Sequence, residues 1–170
     1  MAKKEAPTIQ TERLTLRRLT EADIPNMSKM FGNDMVTRFL TGDTPPDDEH
    51  SMLKIVRARR ATEWAIVCKA TGEFIGDCML PNITDDYLGE IGCVLMQEHW
   101  GKGYAMESMA AIVEYCMGAL QLKRLCARMD NHNANAIKLI EKLGFEKNAV
   151  LPEANFGGRV CDVAYYSKRL

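Results

Sequence analysis

Two hydrophobic periods alternate along the chain. In "TERLTLRRLT", Leu14 and Leu16 alternate with polar residues, which is the two-residue period of a half-buried strand. The following segment changes to a helical period, because Ile24, Met27 and Phe31 recur at intervals of three or four residues. The pattern therefore predicts that the chain opens with a strand and a helix.

The middle of the chain predicts a second helix and then three strands. After a turn at Gly42, "TPPDDEHSMLKIVRARR" has prolines and acids at its start and arginines at its end, an order that suits a helix dipole. "EWAIVCK" and "FIGDCMLPNI" are joined by a Thr71-Gly72 turn, which predicts a β-hairpin. "YLGEIGCVLM" predicts a neighbouring strand, in which Gly89 and Gly92 indicate a bulge or a close backbone approach.

The last third predicts two helices and two strands. A helical face begins after the third strand and carries Ala105, Met109, Ile112, Val113, Cys116 and Leu120. "RLCARMD" predicts a short strand, "NANAIKLIEKLGF" a helix capped by Asn133 and ended by Gly144, and "VCDVAYYSKRL" a last strand. Because no repeat or linker interrupts the pattern, we expect one domain over residues 1–170, with residues 1–10 as a flexible amino-terminal extension.

Composition narrows the class of partner. The 170 residues suffice for one core, and 22 basic against 23 acidic side chains give a net charge of −1. Such a balance provides no overall field for nucleic acid or an anionic membrane, so we expect neither as a partner. The partner should instead be recognised by a pocket.

The cysteines and the amino terminus indicate a reducing, cytoplasmic location. The six cysteines are dispersed through apolar segments, without C-x-x-C and without histidines at metal-ligand spacing, so we expect no metal site. "MAKKEAPTIQ" has no apolar run after its lysines, and no apolar stretch reaches the length of a membrane span.

The segment "QEHWGKGYA" lies between a predicted strand and a predicted helix. Amide groups at a helix amino end bind anions, and Gly101 and Gly103 lack the β-carbons that would keep a phosphate away from them. The pattern thus indicates a phosphate or pyrophosphate site. A glycine pair before a helix is equally typical of a tight turn, and the segment matches neither the P-loop motif nor the dinucleotide-binding motif.

A second block, which begins about 30 residues later, adds a family resemblance. "E-H-W-G-K-G-Y-A-M-E-S" resembles the acetyl-CoA-binding segment of the GNAT superfamily of N-acetyltransferases, and "N-x-x-A-x-x-L-I-E-K-L-G-F" resembles the helix motif that follows it. The resemblance runs from "TERLTLRRLTEAD" to the final strand. It is strongest to the branch that includes the ribosomal-protein N-terminal (alanine or serine) acetyltransferases.

The resemblance implies a fold and a cosubstrate. The fold is mixed α/β (α+β), with a twisted, mostly antiparallel sheet of six or seven strands, flanked by about four helices and splayed between "GEIGCVLM" and "RLCARMD". Acetyl-CoA would lie in the opening with its pantetheine arm along one strand and its pyrophosphate on the glycine segment. The implied acetyl-CoA-binding residues are Val94, Leu95, Met96, Gly101, Lys102, Gly103, Tyr104, Ala105 and Asn133.

The chain departs from the family pattern at three positions. Glu98 stands where the motif has Gln or Arg, Ile140 where many members have a tyrosine general acid, and Ala136 where this branch often has a serine. A thiolate with a conjugate-acid pKa of roughly 8.5 leaves without strong acid assistance, so these departures are compatible with catalysis. An α-amino group, with a pKa of about 8, is partly neutral at pH 7 and suits such a site better than a lysine.

Glu90 is the candidate general base. It lies on the strand beside the expected opening, from which a carboxylate could accept the proton of the amine directly or through water. Two other roles fit the same position: a solvated strand residue, or a carboxylate that binds a cationic acceptor.

These residues favour an N-acetyltransferase that moves the acetyl group of acetyl-CoA to a primary amine, such as a protein N-terminal α-amine. The alternatives are an acetyltransferase of small-molecule amines, a catalytically weak acyl-CoA-binding module, and a fold that binds ATP or NAD through the glycines. The acceptor should be selected by the early helices and by "TGDTPPDDEH" and "PEANFGGR". Asp43, Asp47, Asp48 and Glu49 either attract cationic acceptors or serve their own helix dipole. No motif indicates the oligomeric state.

Overall fold

The computed structural model describes residues 6–40, 48–58, 62–81, 83–84, 88–156 and 158–170. The helices in these ranges are α1 (Ile24–Phe31), α2 (Asp34–Thr37), α3 (Glu49–Ala58), α4 (Tyr104–Gly118) and α5 (Ala134–Lys142). The strands are β1 (Ile9–Gln10), β2 (Leu14–Arg18), β3 (Glu63–Cys68), β4 (Phe74–Met79), β5 (Leu88–Glu90), β6 (Gly92–Leu95), β7 (Arg124–Asp130), β8 (Glu146–Phe156) and β9 (Arg159–Arg169).

The strands form two sheets that separate at one residue. The first sheet is antiparallel, in the order β1-β2-β3-β4-β6, and the second has the order β5-β7-β9-β8 with β5 parallel to β7. Ile91 alone separates β5 from β6, and its amide still donates to the carbonyl of Cys126 at 2.9 Å. Beyond Ile91, β6 pairs with β4 in the first sheet and β7 pairs with β9 in the second, so the two sheets diverge. This confirms the predicted splay.

The glycine at the start of this split allows a close approach of side chains. A β-carbon on Gly89 would lie 2.9 Å from a methyl carbon of Leu80 and 2.9 Å from a methyl carbon of Leu122. Both leucines belong to the core, so the missing side chain lets the core pack directly against the backbone of β5. Gly89 therefore marks a close approach, one of the two possibilities that the sequence left open.

The prediction of a flexible extension over residues 1–10 is wrong for residues 6–10. Ile9 pairs with Leu16 across β1 and β2, Ala6 is buried, and the indole of Trp64 donates to the carbonyl of Pro7 at 2.8 Å. A two-residue strand is too short to produce a periodic pattern in the sequence. The pairing of β1 with the edge of β2 is therefore visible only in the structure. Residues 1–5 lie outside the described residues.

The strand count exceeds the predicted six or seven, mainly because β1 and β8 were missed and because one predicted strand is divided into β5 and β6. β8 is exposed on both faces over most of its length and contains Pro152. An edge strand of this kind tolerates proline and shows no alternation of apolar and polar residues. The sequence therefore carries no signal by which it could be recognised.

The two faces of the first sheet carry separate cores. α4 covers one face, where Trp64 and Ile66 are buried, and α1 and α3 cover the other, where Ala65 and Phe74 are buried; α5 packs beside α4 on β7 of the second sheet. The core under α4 and α5 continues onto the second sheet through Leu125, Ala127 and Met129. The opposite face of the second sheet, which carries Arg124, Cys126 and Arg128, is called the open face below. None of the helices in the described ranges is long and apolar enough to span a membrane.

Candidate active site

A groove of about 550 Å³ opens where the sheets splay, between β6, the amino end of α4, and α5. Many of the residues predicted to bind acetyl-CoA line it: Val94, Leu95, Gly101, Gly103, Tyr104, Ala105 and Asn133. The sequence analysis missed the side formed by the segment around α2, which contributes Met35, Val36, Arg38, Phe39 and Leu40. These residues lie more than 50 positions before the glycine segment, so no local pattern connects them to it.

The backbone of β6 turns alternate residues toward the groove. The amide of Met96 donates to the carbonyl of Ile75 at 2.9 Å, and Leu95 lies opposite Gly76. In an antiparallel ladder this makes Leu95 and Gly76 a non-hydrogen-bonded pair, so the amide and carbonyl of Leu95 point away from β4 and into the splay. The carbonyl of Leu95 accepts the indole N–H of Trp100 at 2.8 Å, which leaves its amide directed at the groove.

Met96 does not line the groove. Its side chain is buried among α1, α3 and the first sheet, and its amide is used by Ile75. Because side chains alternate along a strand, Val94 and Met96 face this core while Cys93 and Leu95 face the other. The close approach of β4 fixes this register, since a β-carbon on Gly76 would lie 2.2 Å from the carbonyl oxygen of Val94.

The amino end of α4 presents unbonded amides on a left-handed turn. Gly101 and Gly103 have φ angles of 73° and 81°, in the region that favours glycine, and Gly103 occupies the N-cap position. No described side chain caps the helix there. The first-turn amides and the positive end of the helix dipole are therefore available to an anion.

Arg13 holds this glycine turn (Gly101–Gly103) in place. Its guanidinium donates to the carbonyl of Lys102 at 2.9 Å and to the carboxylate of Glu107 at 2.6 Å, and lies 4.7 Å from the ring centre of Tyr104. Burial alone would raise the pKa of Glu107, but hydrogen bonds from Thr11 and Arg13 lower it overall. Lys102 is absent from the groove lining, and the turn directs its carbonyl toward Arg13.

α5 forms the wall that faces the glycine turn. The side-chain oxygen of Asn133 accepts the amide of Ala136 at 3.2 Å, which confirms the predicted cap and fixes the start of the helix. Lys138 and Lys142 line the groove one turn apart. Ala136 also lines it, whereas Ile140 is buried in the core. The side chain of Ile140, which stands where many family members have a tyrosine, therefore does not line the groove.

Arg159 connects the α2 wall of the groove to the second sheet. Its guanidinium donates to the carbonyl of Arg38 at 2.7 Å and to the carboxylate of Asp130 at 2.5 Å. Asp130 is completely buried and also accepts the amide of His132 at 2.8 Å. Burial alone would raise the pKa of Asp130, but the hydrogen bonds from His132 and the charge of Arg159 lower it overall. The β8–β9 hairpin, α2 and the end of β7 are thereby joined.

Glu90 lies outside the groove, on the open face. Its carboxylate is held by two nitrogens of Arg128, at 2.8 and 3.2 Å, and it lies opposite Cys126 in the register of β5 and β7. The predicted base is thus beside the residue at which the sheets split, on the opposite side from α4 and α5. Tyr104 does line the groove, but its hydroxyl lies against the thiol of Cys68, which raises the pKa of Tyr104.

Most of the predicted acidic entrance falls outside the described residues. Gly42, Asp43, Thr44, Asp47 and the side chain of Glu49 are not described, and neither is Gly157 in "PEANFGGR". The carboxylate of Asp48 accepts the amide of Ser51 at 2.8 Å, in the first turn of α3. That contact lowers the pKa of Asp48 and matches the helix-end alternative.

Comparison with known families decides the class of protein. The model of the acetyltransferase (GNAT) domain matches residues 13–146. The chain belongs to the GNAT family of acetyltransferases. An uncharacterized N-acetyltransferase from Bacillus licheniformis is 32% identical over 169 residues, covering 94% of each chain. As a GNAT N-acetyltransferase, the protein is an acetyl-CoA-dependent acyltransferase.

Solved GNAT structures share the fold. A GNAT-family acetyltransferase from Bacillus anthracis superposes with a TM-score of 0.87 at 20% identity, covering 96% of this chain and 98% of that one. RimL, described as a ribosomal L7/L12 alpha-N-protein acetyltransferase in complex with coenzyme A, superposes with a TM-score of 0.84 at 16% identity and covers the same shares. The split sheet and its flanking helices are therefore those of a GNAT enzyme.

Proposed function

We propose that the groove binds acetyl-CoA and that this GNAT enzyme acetylates a primary amine, with a free α-amino terminus as the preferred acceptor. One observation carries the proposal: the uncapped first turn of α4, on the left-handed glycine turn, faces a groove whose other wall carries Lys138 and Lys142. Unbonded amides, a helix dipole and two cations together suit a polyanion such as the diphosphate of coenzyme A.

Each part of acetyl-CoA has a suitable partner in the groove. We assign the diphosphate to the amides from Gly101 to Ala105 and the charged adenosine end to the two lysines of α5. The pantetheine arm would run along the edge of β6, where the backbone of Leu95 points into the splay. The amide group of Asn133, whose oxygen caps α5, keeps its N–H donors for the same arm.

The reaction needs few acid-base groups. The neutral nitrogen of the acceptor attacks the thioester carbon, an amide bond forms, the carbon–sulfur bond breaks, and the thiolate of coenzyme A leaves. The amide of Leu95 is the proposed donor to the carbonyl oxygen as charge develops on it. Glu90 is the proposed acceptor of the amine proton, because its carboxylate lies on β5 next to Ile91, the residue at which the two sheets separate.

An α-amine suits this chemistry better than a lysine. With a pKa of about 8 it is partly neutral near pH 7, whereas a lysine with a pKa of about 10.4 requires stronger activation by a base. Small amines of similar basicity form the second candidate class, since the same pKa argument applies to them.

The first experiment measures thiol release from acetyl-CoA with three acceptor classes: short peptides with free amino termini, polyamines and amino acids. The proposal expects turnover with the peptides and binding of coenzyme A in preference to ATP and NAD. Tight binding of coenzyme A without release above background would favour an acyl-CoA-binding module. Turnover confined to amino acids or polyamines would favour the small-amine alternative.

A further inference from the structure

The open face of the second sheet contains a second cavity, of about 770 Å³, separate from the groove. Its walls come from β5, β7, β8 and β9, and its lining includes Leu88, Arg124, Cys126, Glu146, Tyr165 and Arg169. No described helix covers this face, because α1 and α3 cover the first sheet alone. The cavity is therefore open to a ligand.

Two arginines face each other across the floor of this cavity. Arg124 of β7 and Arg169 of β9 are cross-strand partners, so their side chains leave the sheet on the same face. Like charges directly opposite each other on a sheet destabilise it. Among the described residues, neither arginine forms an ion pair. An anion bound between them would remove the repulsion and give each guanidinium a partner.

Two other charged residues line the cavity, Lys168 and Glu146, and in the described structure neither forms an ion pair with the two arginines. The ammonium group of Lys168 donates to the carbonyl of Leu143 at 2.5 Å, at the end of α5 and away from the open face. Glu146 lines the cavity opposite Ser167, one row away from the two arginines. Arg124 and Arg169, called the arginine row below, thus place two positive charges side by side within the cavity.

The arginine row lies next to the proposed reaction centre. Cys126 is opposite Glu90, and Arg124 lies two residues earlier on the same face of β7. Two residues of strand correspond to roughly 6.6 Å. A molecule whose amine is beside Glu90 would therefore reach the arginine pair with a group only a few bonds away from that amine.

We propose that Arg124 and Arg169 bind an anionic group of the acceptor, so that the preferred substrate is a primary amine carrying a carboxylate or phosphate a few bonds from the reacting nitrogen. The inference rests on the proposed function for the position of the amine. It adds that recognition is electrostatic: the anion fixes the acceptor on the open face and brings the nitrogen toward the thioester. An acidic side chain near a peptide amino terminus and a free amino acid both carry this chemistry.

The test compares acceptors that differ only in this charge. The carboxy-terminal amide of Ala-Glu is measured against that of Ala-Gln for peptides, so that no terminal carboxylate remains, and γ-aminobutyrate against its amide for small amines. The proposal expects kcat/KM to be about tenfold higher for the anionic member of at least one pair. Arg124→Gln and Arg169→Gln should each abolish that preference without changing the KM for acetyl-CoA. The control is Lys123→Gln, which removes an exposed cation beside Arg124 that does not line the cavity.

Equal kcat/KM values within both pairs would overturn the inference while leaving the acetyltransferase proposal standing. A preference that survives both arginine substitutions would overturn it as well. If no amine is acetylated, the proposed function fails, and titration of the protein with succinate decides the anion site separately. Succinate binding that is weakened by Arg124→Gln and unchanged by Lys123→Gln supports the site, and the absence of binding overturns it.

Discussion

Gly101 and Gly103 are the residues on which the proposed diphosphate site depends most directly. Both have left-handed φ angles, and a β-carbon on Gly103 would lie 3.3 Å from the guanidinium of Arg13. Left-handed backbone costs a residue with a side chain about 1 to 2 kcal/mol. The turn is therefore intolerant of substitution even where space is available, as at Gly101, which has no neighbouring atom within 4 Å of the added carbon.

We expect Gly103→Ala to raise the Kd for acetyl-CoA about tenfold, because the strain shifts the turn and displaces its amides. Isothermal titration measures this, alongside the thermal midpoint. Gly118→Ala is the matched control: Gly118 lies at the end of the same helix, has no neighbour within 4 Å and is not left-handed. It should leave the Kd unchanged and stabilise the helix slightly. Equal Kd values for wild type and Gly103→Ala would contradict the proposed diphosphate site.

Glu90 permits a second test at the scale of one residue. Glu90→Gln keeps the shape of the side chain and removes its capacity to take a proton, so kcat/KM should fall by about 10²-fold with acetyl-CoA binding unchanged. Steady-state kinetics across pH 6–9 provide the measurement. Glu114→Gln, an exposed position on α4, serves as the control. An unchanged kcat/KM across pH would remove Glu90 from the base role.

At the scale of elements, Arg159 connects three parts of the site. It joins the β8–β9 hairpin to the carbonyl of Arg38 after α2 and to the buried carboxylate of Asp130 at the end of β7. Arg38, Phe39 and Leu40 line the groove, so the position of that wall depends on a residue more than 100 positions away in the sequence. Arg159 acts as a positioning residue in this arrangement.

We expect Arg159→Met to raise the KM for acetyl-CoA several-fold with little change in kcat. The carboxylate of Asp130 would lose its cationic partner, which should also lower the free energy of unfolding by about 1 to 2 kcal/mol. Arg159→Lys retains the charge and should recover part of both effects. Kinetics and urea unfolding on the three proteins measure this. A fall in kcat with an unchanged KM would contradict the positioning role.

At the scale of the whole molecule, three carboxylates of low exposure connect elements of the fold: Asp23, Glu107 and Asp130. Asp23 accepts two hydrogen bonds from Arg17, at 2.8 and 2.7 Å, and one from the amide of Thr20 at 2.8 Å. Burial alone would raise the pKa of Asp23, but these contacts lower it overall. The pKa values of Glu107 and Asp130 are lowered in the same way. Protonation at low pH should therefore weaken the contacts of all three carboxylates.

The sign of the pH dependence follows from these shifts. A carboxyl whose pKa is lower in the folded state stabilises the fold fully above its unfolded pKa, about 4, and this stabilisation is lost as pH falls through the folded value. We expect the free energy of unfolding to be nearly constant from pH 7 to pH 5 and to decline below about pH 4. Urea unfolding at fixed pH values measures the decline.

Asp23→Asn should lower the free energy of unfolding at pH 7 by about 2 kcal/mol and make the acid decline shallower. Glu73→Gln, which alters an exposed carboxylate at the β3–β4 turn, is the control and should change neither quantity. An identical acid decline in Asp23→Asn and the wild type would mean that other groups carry the pH dependence.

The sequence predicted those features that arise within a few neighbouring residues. Asn133 and Gly144 delimit α5 as expected, with Gly144 in the left-handed conformation that ends a helix. The glycine turn and its helix were recognised because they too are local: an anion site at a helix end is formed by the backbone amides of a few consecutive residues. A family motif added the cosubstrate and the position of the splay.

Tertiary structure decided what depends on contacts between distant segments. It brought Lys138 and Lys142 to the groove and turned Met96 into the core. It also made Arg13 the support of the glycine turn and Arg159 the support of the α2 wall. It also placed Glu90 on the open face beside Arg128 and aligned Arg124 with Arg169. Local periodicity determines which faces of helices and strands are apolar, but only their packing determines which polar side chains meet, because those pairs are set by strand register.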